Sequence, residues 1–264
     1  MVQLKWLGTV SLFLLLLPAC EKDDFTQPAS LELELSASET PAMEGKLAFR
    51  EVVMQAQRME IEGRRKAGED VFFERDLRAG AIAVHEHPSI LLDLPQGIYN
   101  RLMLSLVFNP DEEAEEEMKR QIDDLLDELK GNVLPPAAEA ELGELILRYR
   151  EGKPGFICTG TYSGEQEDLE VVLVINDPFI LSMAAVNSGG TKEIVLERDK
   201  NNSAALRLDF EKWFSVVPEP LMEKALKGRA GGKNYVLIHK KVNHQLFNML
   251  YNRIEQYTTL VVNE

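Results

Sequence analysis

The first clear pattern in the chain is the strict alternation of Leu31-Glu32-Leu33-Glu34-Leu35. Successive side chains of a strand point to opposite faces, so the leucines share one face and the glutamates the other. The pattern therefore predicts a half-buried strand. Further apolar runs, separated by Gly, Pro or charged clusters such as Glu62-Gly63-Arg64-Arg65-Lys66, predict strands at 52–61, 71–77, 81–87 and 90–94.

A turn and another alternating run follow. Leu94-Pro95-Gln96-Gly97-Ile98-Tyr99 places Pro and Gly at turn positions. The apolar residues beyond it alternate onto one face, and they are Leu102, Leu104, Leu106 and Phe108. No regular helix alternates with these strands, so their spacing predicts a β-sandwich rather than a series of βαβ units.

Between 109 and 152 the apolar period changes from two to 3.6 residues, which predicts two helices. Asn109 and Pro110 suit the start of the first helix, and Pro136 suits the start of the second. The first apolar stripe is Met118, Ile122, Leu125, Leu126 and Leu129, ended by Gly131-Asn132. The second stripe is Leu142, Leu145, Ile146 and Tyr149, ended by Gly152. Together they form a hairpin inserted between β segments.

The strand pattern returns after Gly155, with runs at 156–162, 169–175, 179–186, 193–197 and 205–210. A C-terminal helix is predicted from Phe247, Leu250, Tyr251, Ile254 and Tyr257, and a last strand from 259–262. The predicted fold is mainly β, a β-sandwich of the Ig or transthyretin type, with an inserted two-helix hairpin and a C-terminal helix.

The N-terminus has the pattern of a processing signal. Lys5 precedes an apolar run, Leu7 to Leu17, that is too short for the roughly 20 residues of a transmembrane helix. The run ends in Leu17-Pro18-Ala19-Cys20, which resembles the lipobox of bacterial lipoproteins. The resemblance implies cleavage before Cys20 and acylation of that cysteine. The alternative is an ordinary secretory signal followed by a chance cysteine.

Directly behind Cys20 stand Glu21, Lys22, Asp23 and Asp24. This charged tetrapeptide resembles the export signal of surface lipoproteins in Bacteroidota. The resemblance implies that the protein is anchored in the outer membrane by its N-terminal lipid and displayed at the cell surface. The alternative is a solvated tether, because chains that leave a membrane are commonly polar.

The composition argues against nucleic acid as a partner and against a fold stabilised by disulfides. A net charge of −15 opposes binding to nucleic acid, which needs cations to displace the counterions of phosphate. Two cysteines in 264 residues cannot form a disulfide scaffold, so an apolar core must stabilise the chain. Cys158 lies in Phe156-Ile157-Cys158 and is expected to be a buried core residue rather than a free nucleophile.

Short motifs across the body resemble the β-sandwich lipoproteins that are common in Bacteroidota. They are the 94–106 turn, Gly160-Thr161-Tyr162, Asn176-Asp177-Pro178-Phe179, Leu206-Arg207-Leu208-Asp209 with Trp213-Phe214, and the helix of 243–257. That family implies no defined activity and no catalytic residues. The expected organisation is a signal peptide (1–19), an acidic tether (20–30), an N-terminal β domain (31–108), the helical hairpin (109–152) and a C-terminal β-rich domain (153–264).

His85-Glu86-His87 has the spacing closest to that of a metal site, because positions i and i+2 of a strand share a face. Two imidazoles make only half a zinc site, which needs a third ligand such as His239 or His244. We therefore expect no metal and no other cofactor. A calcium site from the carboxylates of Asp123, Asp124, Asp127 and Glu128 is also disfavoured, because they lie on a regular helix rather than around a glycine-containing loop.

Signatures of nucleophilic catalysis are weak. In Gly160-Thr161-Tyr162-Ser163-Gly164 the serine stands one place too late for a nucleophile elbow. Gly189-Gly190 and Gly231-Gly232 lack the flanks of a cofactor-binding loop and predict turns. Trp213 could stack on a sugar, although an indole near a core strand more often packs inside.

Three functions remain open. The leading one is a non-enzymatic, lipid-anchored structural or binding module at the cell surface, in contact with a glycan or another envelope protein. The second is a periplasm-facing assembly or transport accessory that docks through its acidic hairpin. The third is a metal-dependent enzyme built around His85 and His87.

Overall fold

A computed structural model describes residues 27–78, 80–109, 112–128, 134–152 and 155–263. The described residues form two β-sheets, with a pair of helices packed on the outer face of the smaller one. The strands are β1 (Pro28–Ala37), β2 (Leu47–Met54), β3 (Arg58–Arg65), β4 (Val71–Asp76), β5 (Ile82–Ala83), β6 (Ser89–Pro95), β7 (Gly97–Phe108), β8 (Phe156–Ser163), β9 (Asp168–Ile175), β10 (Phe179–Asn187), β11 (Ile194–Leu196), β12 (Asn202–Leu208), β13 (Lys227–Ala230), β14 (Lys233–Ile238) and β15 (Thr258–Asn263). The helices are α1 (Glu112–Asp127), α2 (Pro136–Gly152), α3 (Phe210–Phe214), α4 (Glu219–Glu223) and α5 (His244–Gln256). The prediction of a mainly β protein is confirmed.

Alternation along β1 sets the orientation of its side chains. Leu31, Leu33 and Leu35 are buried, whereas Glu32 and Glu34 are exposed. The same alternation in β7 buries Leu102, Leu104, Leu106 and Phe108. Both predicted strands are confirmed, although β1 begins at Pro28 and so includes the last three residues of the expected tether.

The larger sheet has the strand order β4, β3, β7, β10, β15, β12, β1 and β6, and β11 adds to β7. β1 is parallel to β12 and β10 is parallel to β15. The outer strands β4 and β6 approach each other, and Arg75 Nη1 donates to Leu91 O at 2.9 Å across the seam. The larger sheet is therefore nearly barrel-shaped, and the expected Ig- or transthyretin-like sandwich is not confirmed.

The smaller sheet has the order β13, β14, β9, β8, β2 and β5. β9 is buried on both faces: Leu169, Val171 and Leu173 join the core shared with the larger sheet, and Val172 and Val174 join a second core under the helices. A strand covered on both faces has an almost continuous apolar sequence, as Leu169–Ile175 does. The smaller sheet is thus the middle layer between the larger sheet and the helical hairpin.

The two helices of the hairpin cover the outer face of the smaller sheet. Ile122 and Leu125 of α1 are buried, and so are Leu142, Leu145, Ile146 and Tyr149 of α2. α2 begins at Pro136 and ends at Gly152, as predicted. Pro110, Leu129 and Gly131-Asn132, which were expected at the ends of the first helix, lie outside the described residues.

Several predicted strand boundaries were wrong. The run at 52–61 is two strands, because the chain leaves the smaller sheet at Met54 and enters the larger one at Arg58. Glu62 to Arg65 do not separate strands but belong to β3, where the charged side chains can point to the exposed outer face while Ile61 and Gly63 are buried. The segments β13, β14, α3 and α4 were not predicted, although Gly231-Gly232 forms the expected turn between β13 and β14 with φ of +55° and +78°.

Both β segments of the chain contribute to both sheets. β1, β3, β4, β6 and β7 join the larger sheet, whereas β2 and β5 join the smaller one. From the C-terminal segment, β10, β11, β12 and β15 lie in the larger sheet and β8, β9, β13 and β14 in the smaller one. The ranges 31–108 and 153–264 are therefore intertwined through shared sheets.

Candidate functional site

His85 and His87 do not lie on a strand, so the geometric basis of the metal hypothesis was wrong. Val84–Glu86 is a 3-10 turn, closed by a 3.0 Å hydrogen bond from His87 N to Val84 O, and His87 is left-handed with φ of +51°. β6 follows this turn and runs antiparallel to β1. His87 Nδ1 lies 3.4 Å from Glu34 Oε1, at the exposed surface.

Metal-binding geometry is also absent elsewhere in the part of the chain that the structure describes. No group of three or more His, Cys, Asp or Glu side chains there is arranged to hold an ion. Asp123 and Asp124 are exposed on α1, and Asp123 forms an ion pair with Lys241. The carboxylates of this helix therefore form a charged outer face.

Trp213 is fully buried in α3, so it offers no surface on which a sugar could stack. Its ring centroid lies 4.9 Å from that of Phe210, edge to face, and 6.0 Å from that of Phe156. The sugar-stacking alternative is wrong, because the indole is buried. Its packing in an aromatic cluster stabilises the core instead.

Cys158 is buried in β8, as predicted. Burial raises the pKa of its thiol well above the ordinary value. Because the thiolate is the reactive species, the environment of Cys158 suppresses nucleophilic chemistry.

A buried polar contact joins the carboxyl ends of two parallel strands. His239 follows β14, Asn176 follows β9, and His239 Nε2 lies 3.0 Å from Asn176 Oδ1. Lys241 N donates to His239 Nδ1 at 3.3 Å, so Nε2 carries the proton and donates to Asn176. Burial lowers the pKa of His239 to about 4. The imidazole is neutral with both nitrogens occupied, which favours a structural role.

The surface beside this contact carries ion pairs. Asp177 pairs with Lys240, and its Oδ1 lies 3.7 Å from Lys119 Nζ on α1. These pairs connect α1 to the end of the smaller sheet. From the sequence, His239 was considered only as a third metal ligand. The pattern that could have indicated its contact with Asn176 is a polar residue directly after each of two apolar runs, Leu169–Ile175 and 235–238.

A polar cleft lies at the opposite end of β9. Its volume is about 340 Å³, and it lies between the 164–167 turn, α4 and the start of β13. Lys227 Nζ binds Glu167 Oε1 at 2.6 Å, and Glu165 N donates to Glu223 Oε1 at 3.1 Å. These bonds join the turn to β13 and α4, so the cleft walls are held by charged groups on both sides.

Charges of both signs surround the cleft. Hydrogen bonding to Lys227 lowers the pKa of Glu167, and Lys46 Nζ lies 2.5 Å from Glu219 Oε2 at the rim. Behind the wall, burial and then the carboxylate of Glu223 raise the pKa of Tyr162, whose hydroxyl has no hydrogen-bond partner among the described residues. The cleft can therefore offer carboxylate acceptors and ammonium donors to a small polar group.

Cys20 and Glu21 to Asp24 lie outside the described residues, so acylation and sorting stay predictions from the sequence. Within the described ranges, none of the helices combines the length and apolarity of a membrane span. Comparisons with protein-family models, curated proteins and solved structures find no match to this chain.

Proposed function

We propose that this protein is a lipid-anchored lipoprotein of the outer membrane, displayed at the cell surface, that acts as a non-enzymatic binding module. The observation that carries the proposal is the apolar run Leu7 to Leu17 followed by Leu17-Pro18-Ala19-Cys20. Acyl chains on Cys20 would contribute about 0.8 kcal/mol for each buried methylene, so several chains anchor the protein stably. The relationship to the β-sandwich lipoproteins of Bacteroidota is part of this proposal.

The position of the folded body suits such an anchor. Pro28, where β1 begins, lies only eight positions after Cys20. A fully extended chain of that length reaches about 28 Å at most, so the body would lie close to the membrane surface. The anchor supplies the membrane attachment, and the folded surface is left for another partner.

The cleft beside α4 is the site that we assign to binding. Glu165, Glu219 and Glu223 can accept hydrogen bonds from hydroxyl groups, and Lys224 can donate one. A glycan or a polar segment of another envelope protein offers such groups. Two buried side chains with inherent reactivity, Cys158 and His239, are enclosed by packing, which favours binding over catalysis.

Acylation is tested by replacing Cys20 with alanine. The wild-type protein should partition into detergent and carry an N-terminal acyl mass, whereas Cys20→Ala should be released or mislocalised. Cys158→Ala is the matched control and should leave partitioning unchanged, because that thiol lies inside the fold. Unchanged partitioning of Cys20→Ala, with no acyl mass on the wild type, would contradict the anchor.

Surface display is tested separately by replacing Lys22, Asp23 and Asp24 with alanine while Cys20 is retained. Protease added to intact cells should degrade the wild type, and the triple variant should be protected until the outer membrane is permeabilised. If protease degrades both proteins equally in intact cells, the tetrapeptide is a solvated tether and not a sorting signal. Equal protection would favour the periplasm-facing accessory.

A further inference from the structure

One end of the larger sheet lies next to the N-terminal segment. We define the tether end as the end at which β1 begins. There Pro28 pairs with Pro95 at the end of β6, and Leu31 pairs with Asn202 at the start of β12. β10 and β11 both run antiparallel to β7, so both run towards its start at Gly97, and the loop between them leads to Ile194 opposite Tyr99 at the same end. The β3–β4 turn is also there, because Arg65 pairs with Tyr99.

Two arginines face each other on neighbouring strands at the tether end. Arg64 of β3 and Arg101 of β7 are directly opposite in the strand register, and both are exposed. Like charges placed directly opposite destabilise a sheet. Neither guanidinium has an acidic partner within 4.0 Å among the described residues.

The ladder is irregular at this point. The register shifts between Arg64 and Arg65, so that Arg65 pairs with Tyr99 instead of Asn100. Such bulges bend a strand and change the direction of neighbouring side chains, and they are common beside functional sites. The repelling arginine pair therefore stands next to a local distortion, rather than in the uniform part of the sheet.

The tether end carries no net negative charge in an otherwise acidic chain. The segments 28–32, 64–70, 91–101 and 187–202 contain seven Lys and Arg against seven Asp and Glu, whereas the whole chain has a net charge of −15. Lys66 Nζ pairs with Glu193 at 2.5 Å and Lys200 Nζ with Glu197 at 2.8 Å. Arg64, Arg101 and the exposed Lys192 do not take part in these two pairs.

We propose that the tether end docks on anionic lipid headgroups of the membrane that holds Cys20, with Arg64 and Arg101 binding lipid phosphate. This inference rests on the proposed lipid anchor. A phosphate between two guanidinium groups accepts hydrogen bonds from both and removes their repulsion. The short tether keeps this end near the headgroups at high effective concentration, whereas an anionic membrane repels the acidic remainder of the body.

The test uses acylated, processed protein bound to vesicles. Acylation occupies Cys20 and burial shields Cys158, so a cysteine introduced at the surface is the only reactive thiol. Ser188→Cys carries a fluorophore at the tether end, and Thr40→Cys carries it beyond the other end of β1; both positions are exposed. The vesicles are phosphatidylcholine with about 30% phosphatidylglycerol and a trace of lipid with a quencher on its headgroup.

Docking predicts that the fluorophore at position 188 is quenched several-fold more than the one at position 40. The difference should disappear in pure phosphatidylcholine, and also in about 1 M NaCl, where the Debye length is about 3 Å. It should disappear as well in Arg64→Gln/Arg101→Gln. The matched control, Arg207→Gln/Arg229→Gln, removes the same charge from exposed sites elsewhere and should retain the difference.

Fluorescence of Trp213 reports whether each variant is folded. Equal quenching at the two positions, or full quenching at position 188 in the folded Arg64→Gln/Arg101→Gln variant, overturns the docking proposal alone. A protein that carries no acyl mass and does not sediment with vesicles overturns the lipid anchor, and the docking proposal with it.

Discussion

Gly143 of α2 and Gly228 of β13 face each other so closely that neither position can hold a methyl group. A Cβ on Gly143 would lie 2.4 Å from the carbonyl carbon of Arg229, and a Cβ on Gly228 would lie 2.6 Å from Gly143 N. The backbone of the helix therefore rests on the backbone of the outermost strand. This contact covers a strand edge that would otherwise be open to pairing with another chain.

We expect Gly143→Ala to destabilise the protein by about 1–3 kcal/mol, because the backbone of β13 must move away. In an open helix the same change would stabilise by up to about 1 kcal/mol, so the sign of the effect reports the contact. Gly152→Ala is the matched control in α2, where nothing lies within 4 Å of the added Cβ. Urea unfolding measures both; similar effects for the two variants would contradict the close approach.

The orientation of α1 gives a second prediction. Leu125 is buried against the smaller sheet, whereas its neighbour Asp124 is exposed. Leu125→Asp buries an unpaired carboxylate and should lower the free energy of unfolding by several kcal/mol, whereas Asp124→Asn should stay within about 0.5 kcal/mol. Thermal unfolding of both variants checks this. Equal shifts in Tm would mean that the helix has a different register.

The elements that the sequence predicts well are those with a local period. Leu31, Leu33 and Leu35 alternate, and Leu142, Leu145 and Ile146 repeat at helical spacing; in each case the inward face follows from the period itself. Sheet order is not local. β1 pairs with β12, from which it is separated by most of the chain, and no alternation along either strand specifies that partner. The local pattern of apolar residues therefore could not predict the strand order of the larger sheet or its nearly barrel-like shape.

The candidate sites also differ in whether they depend on local sequence or on the pairing of distant segments. Burial of Cys158 follows from its apolar neighbours and was predicted correctly. The contact between Asn176 and His239 spans 63 positions and depends on the parallel pairing of β9 with β14, which the sequence pattern did not indicate. The cleft likewise needs the 164–167 turn beside α4, and neither alone has a distinctive composition.

Burial of Trp213 gives a third prediction. Trp213→Ala removes a fully buried indole from the aromatic cluster and should cost about 3–5 kcal/mol of stability. Phe72 is an aromatic control on the surface, with 63% of its area exposed, and Phe72→Ala should stay within about 0.5 kcal/mol. Denaturant unfolding followed by circular dichroism compares them. A small loss for Trp213→Ala would place the indole outside the core.

The last prediction concerns the buried imidazole of His239, whose folded-state pKa of about 4 lies below the ordinary value of 6.5. Between these values the unfolded chain binds a proton that the folded protein does not, so the free energy of unfolding falls as pH decreases from about 6.5 towards 4. From pH 7.5 to pH 4.5 the contribution of His239 should amount to a loss of about 2–3 kcal/mol.

His239→Gln keeps a donor for Asn176 without this titration, so its stability should fall less than that of the wild type over the same interval. Carboxylates that titrate in this range affect both proteins alike and cancel in the comparison. Parallel profiles for His239→Gln and the wild type would mean that His239 is accessible to protons in the folded state.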